Sequence, residues 1–162
     1  MTTYSIRAPR EDEWETLADL HLSTWQETYS GKFPETEWGP NARIARIGMW
    51  KAICSAPRPG DRFAVAERDG QLVALAGAGA SQDDPAPRAT QLWFIYLLAS
   101  EQGTGAGQEL LDNVLGTSPS SLWVLEDNPR AISFYNRNGF HSDGSRKPTG
   151  FESAGDEIRM IR

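Results

Sequence analysis

The residues with the plainest chemical capacity are Gln102-Gly103-Thr104-Gly105-Ala106-Gly107. Three glycines in five residues remove the Cβ atoms that would hold a ligand away from the backbone. The run that follows, Gly107 to Leu115 (GQELLDNVL), reads as a helix, and the first N–H groups of a helix have no internal partner. Those N–H groups, with the macrodipole behind them, make an anion site. The field contributes only ~0.3–1 kcal/mol, so several N–H hydrogen bonds must carry most of the affinity. The expected ligand is a phosphate or pyrophosphate. A Walker A loop requires Gly-Lys-Ser/Thr, and no lysine follows these glycines. A dinucleotide fingerprint counted from Gly103 requires a third glycine at 108, where Gln108 stands. The pattern met instead is Gln-x-x-Gly-x-Gly, at Gln102, Gly105 and Gly107.

A second group follows about one helix and one strand later. Asn128-Pro129-Arg130-Ala131-Ile132-Ser133-Phe134-Tyr135 fits Asn-x-x-Ala-x-x-x-Tyr, and Gly139-Phe140 follows. Asn128 before Pro129 is the arrangement of an N-cap with proline at the first helical position. A helix cap alone would account for Asn128, and a core aromatic with its hydroxyl at the rim would account for Tyr135. The glycine loop upstream favours a functional reading of both.

These groups need elements to hold them. Tyr4 to Arg7 alternates and reads as a first strand. Asp12 is the expected cap of a helix on which Trp14, Leu17, Ala18, His21, Leu22, Trp25 and Tyr29 recur at helical spacing, closed by Gly31 and Pro34. A second helix is expected from about Asn41 to Cys54, ended by Pro57-Arg58-Pro59-Gly60. Arg62 to Glu67 and Leu72 to Ala80 read as strands joined by Asp69-Gly70, a hairpin signal. The Gly- and Ala-rich second strand implies a close neighbour or a bulge. Gln91 to Leu98 is a strand that feeds the glycine loop, and Leu110, Leu111, Val114 and Leu115 form the buried face of the helix behind it. Leu122 to Leu125 reads as a strand buried on both faces. The helix after Asn128 ends at Asn138-Gly139. Phe140 to Ser142 begins a strand, residues 143–153 read as a loop, and Glu157 to Arg162 reads as the last strand. The order is β-α-α-β-β-β-α-β-α-β-β, an α/β (α+β) arrangement expected over 1–162 as one domain without internal repeats.

Both motifs, in this order and at this spacing, resemble the GNAT superfamily of acetyl-CoA-dependent N-acetyltransferases. The element order resembles that family over the whole chain, and the specific residues lie within 91–140. The resemblance implies a mixed, mostly antiparallel sheet of six to seven strands, flanked by about four helices and splayed between the fourth and fifth strands. It implies that backbone groups of Ile95, Tyr96 and Leu97 pair with the pantetheine arm of acetyl-CoA, as an added strand pairs with a sheet edge. The amides of Gln102, Gly103, Thr104, Gly105, Ala106 and Gly107 would hold the pyrophosphate. Asn128 would bond the pantetheine arm, and Tyr135 would direct its hydroxyl at the CoA sulfur. The implied reaction is direct attack of a primary amine on the thioester in a ternary complex.

That chemistry sets further requirements. A lysine-like amine has pKa ~10.4, so about one in a thousand is neutral at pH 7.4, and a base or relayed water must take its proton. A backbone N–H at Leu97 is the candidate donor to the oxyanion. A thiol of pKa ~8.5 and a tyrosine of ~10 make full proton transfer from an unperturbed Tyr135 uphill by roughly 2 kcal/mol. Some relatives place a glutamate on the fourth strand, but Gln91 to Leu98 contains no acid. In ribosomal-protein alanine acetyltransferases a glutamate lies five residues before the asparagine; here that position is Trp123. Glu126 is the best remaining carboxylate. His21 is a second option, although a histidine on an apolar helix stripe is ordinarily a satisfied core residue. His21, Trp25 and Tyr29 are the candidate lining of the acceptor pocket.

Composition narrows the classes. The chain has 162 residues and a net charge of −6, which argues against nucleic-acid binding and against an anionic membrane surface. Cys54 is the only cysteine, so no internal disulfide is expected. The first residues lack the apolar core of a signal peptide, and no apolar run approaches the ~18 residues of a membrane span. A cytoplasmic location is therefore expected. No metal cluster is expected. The partner is a small-molecule amine or a peptide N-terminus, and a homodimer is carried as an expectation from the family. Two alternatives compete with the enzyme: an acyl-CoA-binding sensor of the same fold that has lost turnover, and an unrelated phosphate-binding domain using the same loop.

Overall fold

The computed structural model describes residues 3–162. Strand β1 (Ser5–Arg7) is followed by helices α1 (Trp14–Tyr29) and α2 (Pro40–Ser55). Strands β2 (Arg62–Arg68), β3 (Gln71–Ala80) and β4 (Thr90–Leu97) come next, then α3 (Ala106–Val114) and β5 (Ser121–Leu125). Helix α4 (Pro129–Arg137) and strands β6 (His141–Pro148) and β7 (Asp156–Ile161) complete the chain. The seven strands form one sheet in the order β1-β2-β3-β4-β5-β7-β6. Every pairing is antiparallel except β4 with β5. This is the expected element order, strand count and helix count.

The parallel pair is where the sheet opens. Only Gln91–Ser121 and Leu92–Leu122 are in register between β4 and β5. Beyond Leu92 the two strands diverge. Side chains alternate across each strand, so the splay is flanked by two chemically distinct faces. Ile95 and Leu97 pack into the larger core with Leu110, Leu111 and Val114 of α3, Phe134 and Tyr135 of α4, Val124 of β5 and Met160 of β7. Phe94 and Tyr96 face the other way, onto a core built from Leu17, Ala18 and Leu20 of α1, Trp50 of α2 and Leu75 of β3. Burying each large aliphatic side chain contributes about 1.5–3 kcal/mol, which holds the helices to the two faces without closing the gap between strands.

The small residues of β3 are explained by both causes the sequence suggests. Its register with β4 slips between Gly77 and Ala78. A Cβ on Gly77 would lie 2.7 Å from the Phe94 ring, and one on Gly79 would lie 2.4 Å from the Trp93 ring. The bulky aromatics of β4 therefore require glycine opposite them.

Two local expectations are corrected. Asp12 does not cap α1: the N-cap is Glu13, without a side-chain cap bond. Glu13 instead accepts from the Arg10 N–H at 2.8 Å and from the Arg7 guanidinium, tying the helix start to β1. Residues 143–148 are strand rather than loop. β6 runs to Pro148 with a register irregularity between Ser142 and Arg146. Asp143 accepts from the Ser145 N–H there, so polar turn residues mark a bulge inside a strand.

Candidate functional site

The glycine loop lies where β4 turns into α3. Gly105 is the N-cap of α3, with φ +97° and no side-chain cap. That left-handed conformation favours glycine. Glu109 is the first residue of α3 whose N–H closes onto the cap, at 3.1 Å to the Gly105 carbonyl. The loop amides are not equivalent. Gln102 N–H donates to the Ala99 carbonyl at 3.3 Å and Thr104 N–H to the Glu101 carbonyl at 3.4 Å. Gly103, Gly105, Ala106 and Gly107 are left as the amides for an anion.

The loop is anchored by a group that the sequence did not disclose. Glu101, 1% exposed, lies in the short 3-10 turn Ala99–Glu101 just before the loop. Its carboxylate accepts from the Tyr4 hydroxyl and from the Arg68 guanidinium. Thr104 Oγ1 donates to the Glu101 carbonyl. The anionic side chain is thus neutralised by β2 before an anionic ligand meets the loop. Burial and the bond to Glu101 push the Tyr4 pKa up, so its hydroxyl stays a donor.

Along β4 the backbone groups alternate in direction. Leu98 N–H donates to the Val73 carbonyl of the neighbouring chain segment. Leu98 and Tyr96 thus turn their backbone groups toward β3, and Ile95 and Leu97 turn theirs toward the splay. The three-residue expectation narrows to Ile95 and Leu97, because the Tyr96 backbone belongs to the sheet.

A cavity of about 570 Å³ occupies the splay. On the α3 face it is lined by Ile95, Leu97, Gln102, Gly103, Gly105, Gly107, Asn128, Ala131, Phe134 and Tyr135, with Gln108, Arg130 and Arg137 at its mouth. Asn128 caps α4, its Oδ1 accepting from the Ala131 N–H at 3.2 Å. Tyr135 is buried. Burial first and the nearby Tyr96 second raise its pKa, and no hydrogen bond offsets this among the described residues. Arg130 and Arg137 were missed in the sequence. Their spacing of seven, two turns on one helix face, was the available signal.

On the other face the cavity is lined by Trp25, Thr28, Tyr29 and Phe33, by Phe94 and Tyr96 of β4, by Trp123 of β5, by Lys147 of β6 and by Glu157 of β7. Trp25 and Tyr29 thus line the cavity. Burial, and then Tyr96, Tyr135 and Glu157 in turn, raise the Tyr29 pKa. The Trp25 indole holds down a rise in the Tyr96 pKa that burial causes, without forming a regular hydrogen bond.

Two candidate bases lie elsewhere. Glu126 is exposed and held by the Arg146 guanidinium in an ion pair outside the cavity lining. His21 is 3% exposed and is absent from the cavity wall. Its Nδ1 accepts from the Trp50 indole at 3.2 Å. Burial, with a smaller push from Arg46, lowers its pKa to about 3. It is a satisfied core histidine. Glu157 is the carboxylate that does line the cavity. The alternation of Glu157 against the half-buried Ile158 and the buried Met160 in EIRMIR was its only sequence signal.

Among the described residues, no group of three or more His, Cys, Asp or Glu is arranged to hold a metal ion. Among the same residues, no helix is long and apolar enough to cross a membrane.

The model of the acetyltransferase (GNAT) family matches residues 14–140. A probable N-acetyltransferase of Mycobacterium tuberculosis is 28% identical over 145 residues, covering 86% of this chain and 80% of that protein. The structure of PaiA N-acetyltransferase from Thermoplasma acidophilum in complex with coenzyme A superposes with a TM-score of 0.67 at 18% identity, over 99% of each chain. YncA of Salmonella typhimurium, a putative acetyltransferase with its cofactor acetyl-CoA, gives 0.70 at 15% identity, over 98% of this chain and 92% of that one. At these identities the two structures show a common fold.

Proposed function

Since the chain belongs to the GNAT acetyltransferase family, we propose that it transfers an acetyl group from acetyl-CoA to a primary amine, by direct attack in a ternary complex. The observation that carries this reading is a cavity that crosses the sheet through the splay. One end meets the glycine loop, and the other meets an aromatic wall.

The residues present fit acetyl-CoA. The amides of Gly103, Gly105, Ala106 and Gly107 and the arginines Arg130 and Arg137 suit the anionic end of the molecule. The backbone groups of Ile95 and Leu97 suit the amides of an extended arm, as at any open strand edge. Asn128 bonds the arm at the gap with the side-chain N–H groups that its cap bond leaves free. When bound, acetyl-CoA supplies an acetyl thioester.

The chain's own residues do the rest. Leu97 N–H donates to the acetyl oxygen as charge builds on it. Tyr135 donates to the sulfur. The raised pKa makes full ionisation of Tyr135 costlier than the unperturbed ~2 kcal/mol, so it acts as a neutral hydrogen-bond donor. Neither Glu126 nor His21 lines the cavity, and the amine proton leaves through water along it.

The test is thiol release from acetyl-CoA on adding primary amines, for the wild type and for Tyr135→Phe. The expected result is amine-dependent release, with kcat at least about tenfold lower in the variant. Release that no amine stimulates would overturn the transferase reading and leave an acyl-CoA sensor. A kcat within about threefold of wild type in Tyr135→Phe would remove Tyr135 from the chemistry.

A further inference from the structure

We infer that the acceptor is a small monocationic amine carried on an aryl body, and that Glu157 anchors its ammonium group. The inference rests on the acetyl-transfer reading above and names the acceptor class of that same site.

Four observations converge on it. The first is the wall itself. Trp25, Tyr29 and Phe33 form a contiguous set, with ring centroids 4.9 Å apart for Trp25–Tyr29, 5.5 Å for Trp25–Phe33 and 5.2 Å for Tyr29–Phe33. Tyr96 joins them at 6.1 Å from Trp25. All four line the cavity. Such rings take an aryl group edge-to-face and a cation over a ring face.

The second is charge. Glu157 is the one carboxylate on the cavity wall among the described residues. It lies opposite Leu125 in the β5–β7 register, at the open end of the splay. It also faces Tyr29 and Tyr96, whose hydroxyls feel its charge.

The third is the neighbour of that carboxylate. Lys147 Nζ lies 3.8 Å from Glu157 and 4.1 Å from the centre of the Trp123 ring. Lys147 thus already shares the Glu157 carboxylate, which leaves room for one incoming ammonium, and the wall holds no further carboxylate for a second. A polyamine or an aminoglycoside carries several ammonium groups and needs several carboxylates, which this wall does not offer.

The fourth is the roof. Lys32 Nζ donates to the Asp127 carbonyl, Ser153 Oγ donates to the Lys32 carbonyl at 2.6 Å, and Phe33 packs on Phe151 at 5.2 Å. The segments after α1, after β5 and after β6 are thereby tied together over the acceptor end. A polypeptide substrate needs an open groove for the residues behind its amino terminus, and this closure opposes one.

The experiment compares four amines by steady-state thiol release: 2-phenylethylamine, butylamine, spermidine and a tetrapeptide with a free amino terminus. A thermal-shift titration with acetyl-CoA runs on the same samples. The expected kcat/KM for 2-phenylethylamine is at least about tenfold above the other three. Glu157→Gln should raise KM for 2-phenylethylamine about tenfold or more, because the carboxylate that holds the incoming amine is lost. Its acetyl-CoA shift should be unchanged. Lys147→Met should improve kcat/KM for spermidine by about tenfold. A preference for spermidine or for the peptide, or a Glu157→Gln variant with unchanged KM, would overturn the inference while leaving the transferase reading intact. Absence of any acetyl-CoA stabilisation would instead overturn the reading on which it rests.

Discussion

At the scale of residues, the site is organised by which groups keep their protons. Tyr135, Tyr29 and Tyr96 all have raised pKa values from burial beside one another. All three remain neutral donors through the physiological range. His21 is the opposite case, a base kept uncharged in the fold. Its pKa falls from 6.5 to about 3, so the unfolded chain takes up a proton below pH 6.5 that the folded chain refuses. Stability from this group is complete above about pH 6.5 and is lost as pH falls toward 3. The full loss is on the order of 5 kcal/mol. His21→Gln, which keeps an acceptor for the Trp50 indole, should show a flatter stability profile between pH 6.5 and 4 in urea titrations. A profile parallel to wild type would contradict this account of His21. Its place in the core was the ordinary expectation for a histidine on an apolar stripe. The remoteness of Glu126 was not legible, because its partner Arg146 comes from a strand bulge twenty residues away.

At the scale of elements, most of the chain was readable from period and punctuation. Asp69-Gly70 joins β2 and β3 as expected, and Asn128-Pro129 starts α4 with the expected side-chain cap. Two features were not readable. Most of β6 looked like a loop because Asp143 to Pro148 is polar and largely solvent-facing at the sheet edge, so it lacks the apolar alternation on which a strand assignment depends. The Glu101 anchor was invisible because its partners are Tyr4, just before β1, and Arg68 of β2, ninety-seven and thirty-three residues away. That anchor makes a prediction about the loop. Tyr4→Phe leaves a buried carboxylate one donor short, which costs about 1–3 kcal/mol. Thermal unfolding should show a Tm lower by several degrees. An unchanged Tm would mean that Arg68 alone satisfies Glu101.

At the scale of the whole molecule, the fold places two unlike surfaces on one cavity. The sheet divides it, and the splay between β4 and β5 joins the halves. Arginines and free amides stand on the α3 side, and aromatics with one carboxylate stand on the α1 side. A net charge of −6 coexists with this local positive mouth, so the anion must be held by short-range bonds against the global field. The family, the splayed sheet and the glycine loop were legible from the two motifs. The acceptor side was not, because its lining comes from six separate segments that share no local pattern. The measurement that bears most directly on the central claim is a thermal-shift titration with acetyl-CoA, beside ATP and NAD at equal concentration. A ligand at 100 times its Kd adds ~2.7 kcal/mol, which for a domain of this size is a Tm rise of about 5–10 °C. That rise is expected with acetyl-CoA, and little or none with ATP or NAD. No shift with acetyl-CoA, or an equal shift with all three, would contradict it.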